Sequence, residues 1–522
     1  MKRTISMAAL LLTVSVPSFA DVADFIQMLG PSTDAEVVGT PRDPKDRAIE
    51  MQQLQERLAA SRVDKAVKQP LVFQLTEAER RQIDDVDRIE KKWFVGVTRP
   101  VGNVAGSSAG DARFQGLGAT RNTENGFVWT SAVRVPGATA LRLKLTGVDL
   151  PAGSELYVYN LAGHAFGPYT GRGPLGTGVL FTNTVFGSEI FLQLHSRNAE
   201  RAPQFRVAEV GIMGARFAVP RYGQKGPIES DGMKGYAAAA SNLCSANADC
   251  ITNAACQSSP VVSTVKDAVA GMLFQSGGGW YICTGGLIAD TVATSVIPFF
   301  LTANHCIGTS NEAASLETYW DYETTCSNPN CTQPYNNTGE TVGATLVAGS
   351  SNTDVTLLRL SSTPSSPDGV VSYLGWLSTA VANTNNLALY RISHPQGSPQ
   401  AYTEGVVDTG KPTCRTLPRG NFIYSRDTLG GTEGGSSGSP VVNGSSQIVG
   451  QLYGACGTNL NNVCDANSNG TVDGAFAVSY PLLAPFLNPG TGGCGAKGAS
   501  CTTGSQCCSG SCSGKNGAKT CK

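Results

Sequence analysis

The first 243 of the 522 residues contain no cysteine, and all 16 cysteines lie from Cys244 onward. A disulfide framework is therefore excluded from the N-terminal half and concentrated in the C-terminal half, where an even count suits an oxidising compartment. Histidine is scarce as well. The chain has four, His164, His195, His305 and His394, so candidates for imidazole chemistry are few. An excess of charge of one sign is also lacking: 39 basic against 40 acidic residues give a net charge of −1, and nothing points to nucleic acid or an anionic membrane as partner. Past the N-terminus no apolar run reaches the roughly 18 residues needed to span a bilayer.

What is present starts with Lys2 and Arg3, the apolar run Met7 to Val16, and Ser18-Phe19-Ala20 with small residues where a signal peptidase reads them. Residues 1–20 are expected to be a signal peptide, and the product to be secreted. Residues 21–234 hold much of the charge. Asp43 to Arg62 has helical spacing, and a second charged stretch runs from Leu75 to Lys92. The alternating runs Ala140-Leu141-Arg142-Leu143-Lys144-Leu145 and Leu156-Tyr157-Val158-Tyr159 predict strands of a small sandwich. This region is expected to be a propeptide, with a retained N-terminal binding domain as the alternative.

Residues 235–488 are rich in Gly, Ser, Thr and Val, with short strand-like runs and frequent turn signals. The pattern is all-β, and the length suits two barrels flanking a cleft. Residues 489–493 read as a linker. In 494–522 six cysteines follow the spacing C-x6-C-x5-C-C-x3-C-x8-C. So short a segment cannot build a sufficient apolar core, and disulfides must hold it. Spacing alone leaves about 15 connectivities open. The spacing resembles the knottin scaffold, which implies Cys494 with Cys508, Cys501 with Cys512 and Cys507 with Cys521.

Three segments carry the chemistry. Leu301-Thr302-Ala303-Asn304-His305-Cys306, Asn352-Thr353-Asp354-Val355 and Gly435-Ser436-Ser437-Gly438-Ser439-Pro440 supply a histidine, an aspartate and a serine in that order. A serine is a weak nucleophile at neutral pH and needs a base within hydrogen-bond reach plus a third group to fix that base's tautomer. His164 and His195 lie in the expected propeptide, and His394 sits in the turn-like Ser393-His394-Pro395, so His305 is the better base. The order His, Asp, Ser is that of the chymotrypsin-like double β-barrels.

With Cys283-Thr284-Gly285-Gly286-Leu287, Tyr319-Trp320, Thr432-Glu433 and Gly450-Gln451-Leu452, these motifs resemble the lysyl endopeptidase-like secreted bacterial serine proteases of the chymotrypsin superfamily over about 240 to 488. The resemblance implies an all-β, chymotrypsin-like double β-barrel catalytic domain, preceded by a mostly β propeptide and followed by the small disulfide-rich, knottin-like domain. It implies Ser437 as nucleophile, His305 as base, Asp354 as its orienting partner, and the backbone N–H groups of Gly435 and Ser437 as the oxyanion hole. Protein or peptide substrates follow, with the propeptide as folding aid and inhibitor and the enzyme as a monomer that requires no cofactor. The resemblance also implies the disulfides Cys244–Cys456, Cys250–Cys326 and Cys283–Cys306, leaving Cys256, Cys331, Cys414 and Cys464 open among three pairings. Trypsin-like enzymes place an Asp just before the nucleophile to receive a freed N-terminal amine. Here that position is Ser436, so maturation by a cut between 221 and 243, with Arg221, Lys225 and Lys234 as basic sites, cannot work through that ion pair.

In lysyl endopeptidases the resemblance places a carboxylate in the primary specificity pocket, and Asp473 is the best candidate; an otherwise unpaired buried carboxylate would favour Lys or Arg at P1. The family's His after the Gln-Leu pair is Tyr453 here, so the environment of His305, and with it the pH profile, is expected to differ from the family's. The same stretch, Asp465-x-Asn467-x-Asn469-Gly470-x-x-Asp473, has the oxygen spacing of a calcium loop, but position twelve is Phe476 where a bidentate Glu is usual. A catalytically silent binding or inhibitor protein acting through the Cys-rich module, or an esterase using the same triad, are the rival functions.

Overall fold

The computed structural model describes residues 31–84, 92–101, 118–197, 201–218, 243–244, 247–292, 296–327, 339–364, 366–489, 501, 511–514 and 519–521. The fold is all-β, with two barrels side by side in the C-terminal half. The second barrel closes on itself: Gln447–Gly457, Pro440–Val442, Ala388–Ser393, Ala401–Val407, Phe422–Leu429 and Asn469–Ala475 pair in turn, and the last returns to the first. Its interior is filled by Leu389, Val407, Ile423, Val441 and Val449. In the first barrel Glu317–Trp320, Val269–Ser276, Gly279–Leu287, Phe299–Ala303, Val355–Leu360 and Ala344–Ser350 follow one another. Gly339–Val342 runs into Ala344–Ser350 and pairs back onto Glu317–Trp320, so the sheet bends round toward closure. β-branched and aromatic residues suit such strands, and Phe299–Ala303, Glu317–Trp320 and Asn469–Ala475 are buried along their whole length.

The N-terminal half folds as a sandwich that shares a sheet with the first barrel. One layer pairs Gly126–Arg134 with Glu189–Arg197, which pairs on with Ser154–Tyr159. The other layer pairs Ala140–Asp149, Gln204–Met213 and Trp93–Pro100, and the last of these pairs antiparallel with Gly279–Leu287 of the barrel. The join is tight, because a Cβ at Gly211 would lie 2.6 Å from the Trp280 ring. Across it, Arg142 and Glu317 form an ion pair at 3.5 Å with neither side chain exposed. Glu317 also accepts from Thr184 Oγ1 at 2.6 Å and Asn183 Nδ2 at 3.0 Å. The sequence suggests two separate parts; in the structure one hydrogen-bonded sheet runs through both. The helix expected within Asp43 to Arg62 is Lys45–Ala59, and the second charged stretch begins with Glu77–Asp84.

Two features depart from the sequence reading. The two-barrel region ends in a helix, Phe476–Leu487, within a stretch expected to be all-β. Pro481 and Pro485 hide it, and it carries apolar residues on all sides, so no helical stripe shows. It packs Phe476 and Tyr480 against Trp376. The disulfides also differ. Cys283–Cys306 is present, but Cys456 joins Cys414 rather than Cys244, Cys250 joins Cys464 rather than Cys326, and Cys326 takes Cys256. Bridging needs Cα atoms within about 7 Å. Cys414 meets that limit at 6.0 Å in a cluster with Leu417, Tyr424 and Cys456, and Cys464 lies 5.6 Å from Cys250. Cys244 is disulfide-bonded all the same. In the C-terminal module Cys501 pairs with Cys512, and Cys512–Ser513 forms a two-stranded ladder with Thr520–Cys521. The pairings Cys494–Cys508 and Cys507–Cys521 lie outside the described residues, as do the signal peptide and the 221–234 cut sites.

Candidate active site

The first barrel presents the histidine and the aspartate on neighbouring strand ends. Phe299–Ala303 pairs antiparallel with Val355–Leu360, Ala303 lying opposite Val355, so the residues just beyond the ladder, Asn304-His305 and Asp354, face each other. Asp354 adopts a left-handed φ of 56°, a conformation that Asp tolerates better than most residues. In that conformation its carbonyl accepts the Asn304 N–H at 2.8 Å, and its Oδ1 accepts the His305 N–H at 2.8 Å. Oδ2 lies 2.6 Å from His305 Nδ1. A carboxylate cannot donate, so Nδ1 carries the proton in the neutral ring, and Nε2 is left as the acceptor. Nε2 makes no hydrogen bond to any described residue.

The residues around this pair hold it still. Asn304 Nδ2 donates to Thr356 Oγ1 at 3.0 Å, whose own proton goes to the Ile307 carbonyl at 2.8 Å. Thr309 and Glu312 form a reciprocal capping box that opens the helix Ser310–Ala314 and ends the histidine turn. Gln451 Nε2 donates to the Thr353 carbonyl at 2.7 Å, and Thr353 Oγ1 meets Ser479 Oγ at 2.6 Å. The C-terminal helix thus braces the residue next to Asp354. Tyr453 packs edge-on against the His305 ring at 6.0 Å.

Ser437 sits on the connection into Pro440–Val442 of the second barrel and is 3% exposed. Thr284 of the first barrel grips this connection. Its N–H donates to the Ser437 carbonyl at 2.8 Å and its Oγ1 to the Gly435 carbonyl at 2.8 Å, while the same oxygen accepts from the His394 N–H at 3.0 Å. In the sequence Thr284 is one residue of the Cys283 to Leu287 motif, and only the fold shows it bridging the barrels. Gly438 has φ 83°, and a Cβ there would stand 2.2 Å from Thr302 Oγ1; no other residue fits. The Cys306 sulfur lies 3.8 Å from the Ser437 carbonyl oxygen, which brings the histidine turn against the serine loop. Cys283, His305 and Cys306 are the one cluster of metal-ligand residue types among the described residues, but the two sulfurs are joined to each other.

Two sequence expectations fail here. Asp473 is fully buried and ion-paired with Arg391, whose side chain is 3% exposed. It belongs to the interior of the second barrel and is not an unpaired pocket carboxylate. Burial pushes its carboxyl up, against the pull of the Arg391 guanidinium. The calcium reading loses its ligands for related reasons. Asp465 accepts from Asn459 Nδ2 at 2.8 Å and the Ser468 N–H at 3.0 Å, Asn469 lies in the strand Asn469–Ala475, and Asp473 belongs to Arg391. A cation already occupies the loop, since Lys411 Nζ donates to the carbonyls of Ala466 and Asn467 at 2.6 and 2.8 Å. His394 is fully buried, with Nδ1 3.0 Å from the Ser398 carbonyl and its ring stacked on Tyr322. Desolvation brings its pKa down to about 4, which keeps it neutral and structural.

Residues 239–470 match the family model described as lysyl endopeptidase, C-terminal domain. Over this segment the chain is similar to the lysyl endopeptidases. A lysyl endopeptidase of Pseudomonas aeruginosa is 35% identical over 224 residues, covering 41% of this chain and 46% of that protein. The chain thus spans about half the length of the curated relative it matches. Similar solved structures include a protease of M. tuberculosis in its active form, with TM-score 0.29, 17% identity, and coverage of 48% of this chain and 88% of that one. Another is an HtrA-type protease with a tripeptide, with TM-score 0.30, 16% identity, and coverage of 47% and 67%. Within the lysyl endopeptidase-like domain His305, Asp354 and Ser437 all stand at strand ends that meet where the two barrels touch.

Proposed function

We propose that the protein is a secreted serine endopeptidase that works through an acyl-enzyme. The observation that carries this reading is the 2.6 Å contact from His305 Nδ1 to Asp354 Oδ2, which leaves Nε2 as the proton acceptor. Ser437 Oγ attacks the scissile carbonyl as Nε2 takes its proton. The same proton then goes to the leaving amine, and water repeats the sequence to release the acyl group. The N–H groups of Gly435 and Ser437 receive the developing oxyanion, each such donor being worth about 2.7–4 kcal/mol in the transition state. Asp354 keeps the tautomer and stabilises the imidazolium.

Cleavage after Lys or Arg is supported by the likeness to a protein named lysyl endopeptidase, while Asp473 does not supply the selecting charge. The N-terminal region acts as a propeptide that assists folding, a role supported by the shared sheet and the buried Arg142–Glu317 pair. Export by residues 1–20 places the product outside the cell. A peptide library incubated with the secreted protein and with Ser437→Ala, and read by mass spectrometry, tests the reading. Cuts after Lys or Arg made only by the parent support it. Equal cutting by the Ser437→Ala form overturns it.

A further inference from the structure

The residue before the nucleophile, Ser436, is uncharged, and its Oγ accepts from Ser393 Oγ at 3.1 Å. The order of the nucleophile loop must come from elsewhere. Three residues further back, Glu433 reaches the start of the protease domain. Its Oε1 accepts the Ala248 N–H at 3.0 Å and Gln396 Nε2 at 3.0 Å, and its Oε2 accepts Asn247 Nδ2 at 2.8 Å. Asn247 also donates to the Pro395 carbonyl at 3.2 Å, and its Oδ1 accepts from Ser398 Oγ at 2.8 Å. One carboxylate therefore holds both the segment at 247–248 and the turn at 395–398.

That turn is the bed of the oxyanion loop. Gln396 has a left-handed φ of 54°, and its N–H donates to the Gly434 carbonyl at 2.6 Å. A Cβ at Gly435 would lie 2.8 Å from the His394 carbonyl oxygen and 3.0 Å from the Gln396 nitrogen, so the loop lies flat on the turn. The segment at 247–248 is fixed in its turn by the Cys250–Cys464 bridge. Desolvation raises the pKa of Glu433 against the hydrogen bonds from Asn247, Ala248 and Gln396 that lower it. A carboxylate held at that cost, with three donors converging on it, is a built feature of the loop.

We propose that Glu433 is a positioning residue: by joining Asn247 and Ala248 to Gln396 it sets the loop that aims the Gly435 and Ser437 N–H groups at the oxyanion. The clamp uses an internal backbone N–H and two amide side chains, so loop order does not depend on a newly freed N-terminal amine. The proposal rests on the serine protease reading of the site.

The test measures kcat and KM separately on a peptide substrate, with thermal melting alongside, for the full chain as secreted. A parent without turnover would sink the protease reading and the clamp with it. Given an active parent, Glu433→Gln is expected to lower kcat about ten- to a hundredfold with KM within about threefold, because a small misplacement of the oxyanion donors is felt in the transition state. Combining Glu433→Gln with Asn247→Ala is expected to cost little more than the larger of the two single changes, because both break the same contact. Should Glu433→Gln fail to fold, Asn247→Ala, which leaves the carboxylate in place, must show the same loss confined to kcat. A folded variant with kcat within threefold of the parent, a change in KM alone, or a double variant whose loss is the full product of the two single losses would overturn the clamp.

Discussion

His305 and Asp354 are joined twice, through the ring at 2.6 Å and through the His305 backbone N–H at 2.8 Å, one bond to each carboxylate oxygen. The carboxylate therefore fixes the ring's position and its tautomer together. Asp354→Asn can keep the backbone bond but not the ring bond in the same tautomer. We expect it to lower kcat about 10⁴-fold while the protein stays folded. Steady-state kinetics with circular dichroism checks this, and a loss under tenfold would count against the assignment.

The Arg391–Asp473 pair is structural. Asp473→Ala leaves a guanidinium buried without its partner and should cost about 3–5 kcal/mol, read from urea unfolding. Arg391→Met combined with Asp473→Leu removes both charges and should recover most of that loss with the cleavage preference unchanged. A well-folded Asp473→Asn that no longer prefers basic residues would restore the specificity role that the structure removes.

Asp321 gives a pH signature. Desolvation first, helped by the carboxylates of Asp368 and Glu323, pushes its pKa up to about 7, while hydrogen bonds from Ser366 and Asp368 oppose the rise. The folded protein then holds a proton there that the unfolded chain releases near pH 4, so this contribution to stability is present below about pH 4 and is lost as pH rises to 7. Asp321→Asn suits the left-handed φ of 52° at this position. It should raise the melting temperature by a few degrees at pH 8 and change it little at pH 4; calorimetry at both values decides.

The disulfide pattern is open to direct mapping. Peptides from non-reduced digests should join Cys250 to Cys464 and Cys414 to Cys456, each bridge contributing about 2–4 kcal/mol. Recovery of a Cys244–Cys456 peptide would contradict the packing around Tyr424.

The catalytic candidates are legible in the sequence because each is a short motif at a strand end, and a scarce histidine leaves few choices of base. Strand runs such as Ala140 to Leu145 are legible because apolar and charged residues alternate, although the structure buries Arg142 as well, against Glu317. What depends on distant chain is not. Asp473 reads as a pocket residue until Arg391, 82 positions away, is folded against it. The pairings of Cys250 and Cys456 turn on which strand ends approach, which cysteine spacing does not encode. Glu433 stands in the motif that leads to Ser437, but its three donors, Asn247, Ala248 and Gln396, come from segments far off in the chain. The sheet shared between Trp93–Pro100 and Gly279–Leu287 joins two regions that differ in charge and cysteine content, and that contrast reads as a boundary.

The central claim is that Ser437 is a nucleophile activated by His305. Labelling the secreted protein with a fluorophosphonate and mapping the modified peptide tests it most directly. The account predicts one adduct per folded chain, on Ser437, and its disappearance in His305→Ala. An adduct on another serine, or none on correctly folded and processed protein, would contradict it.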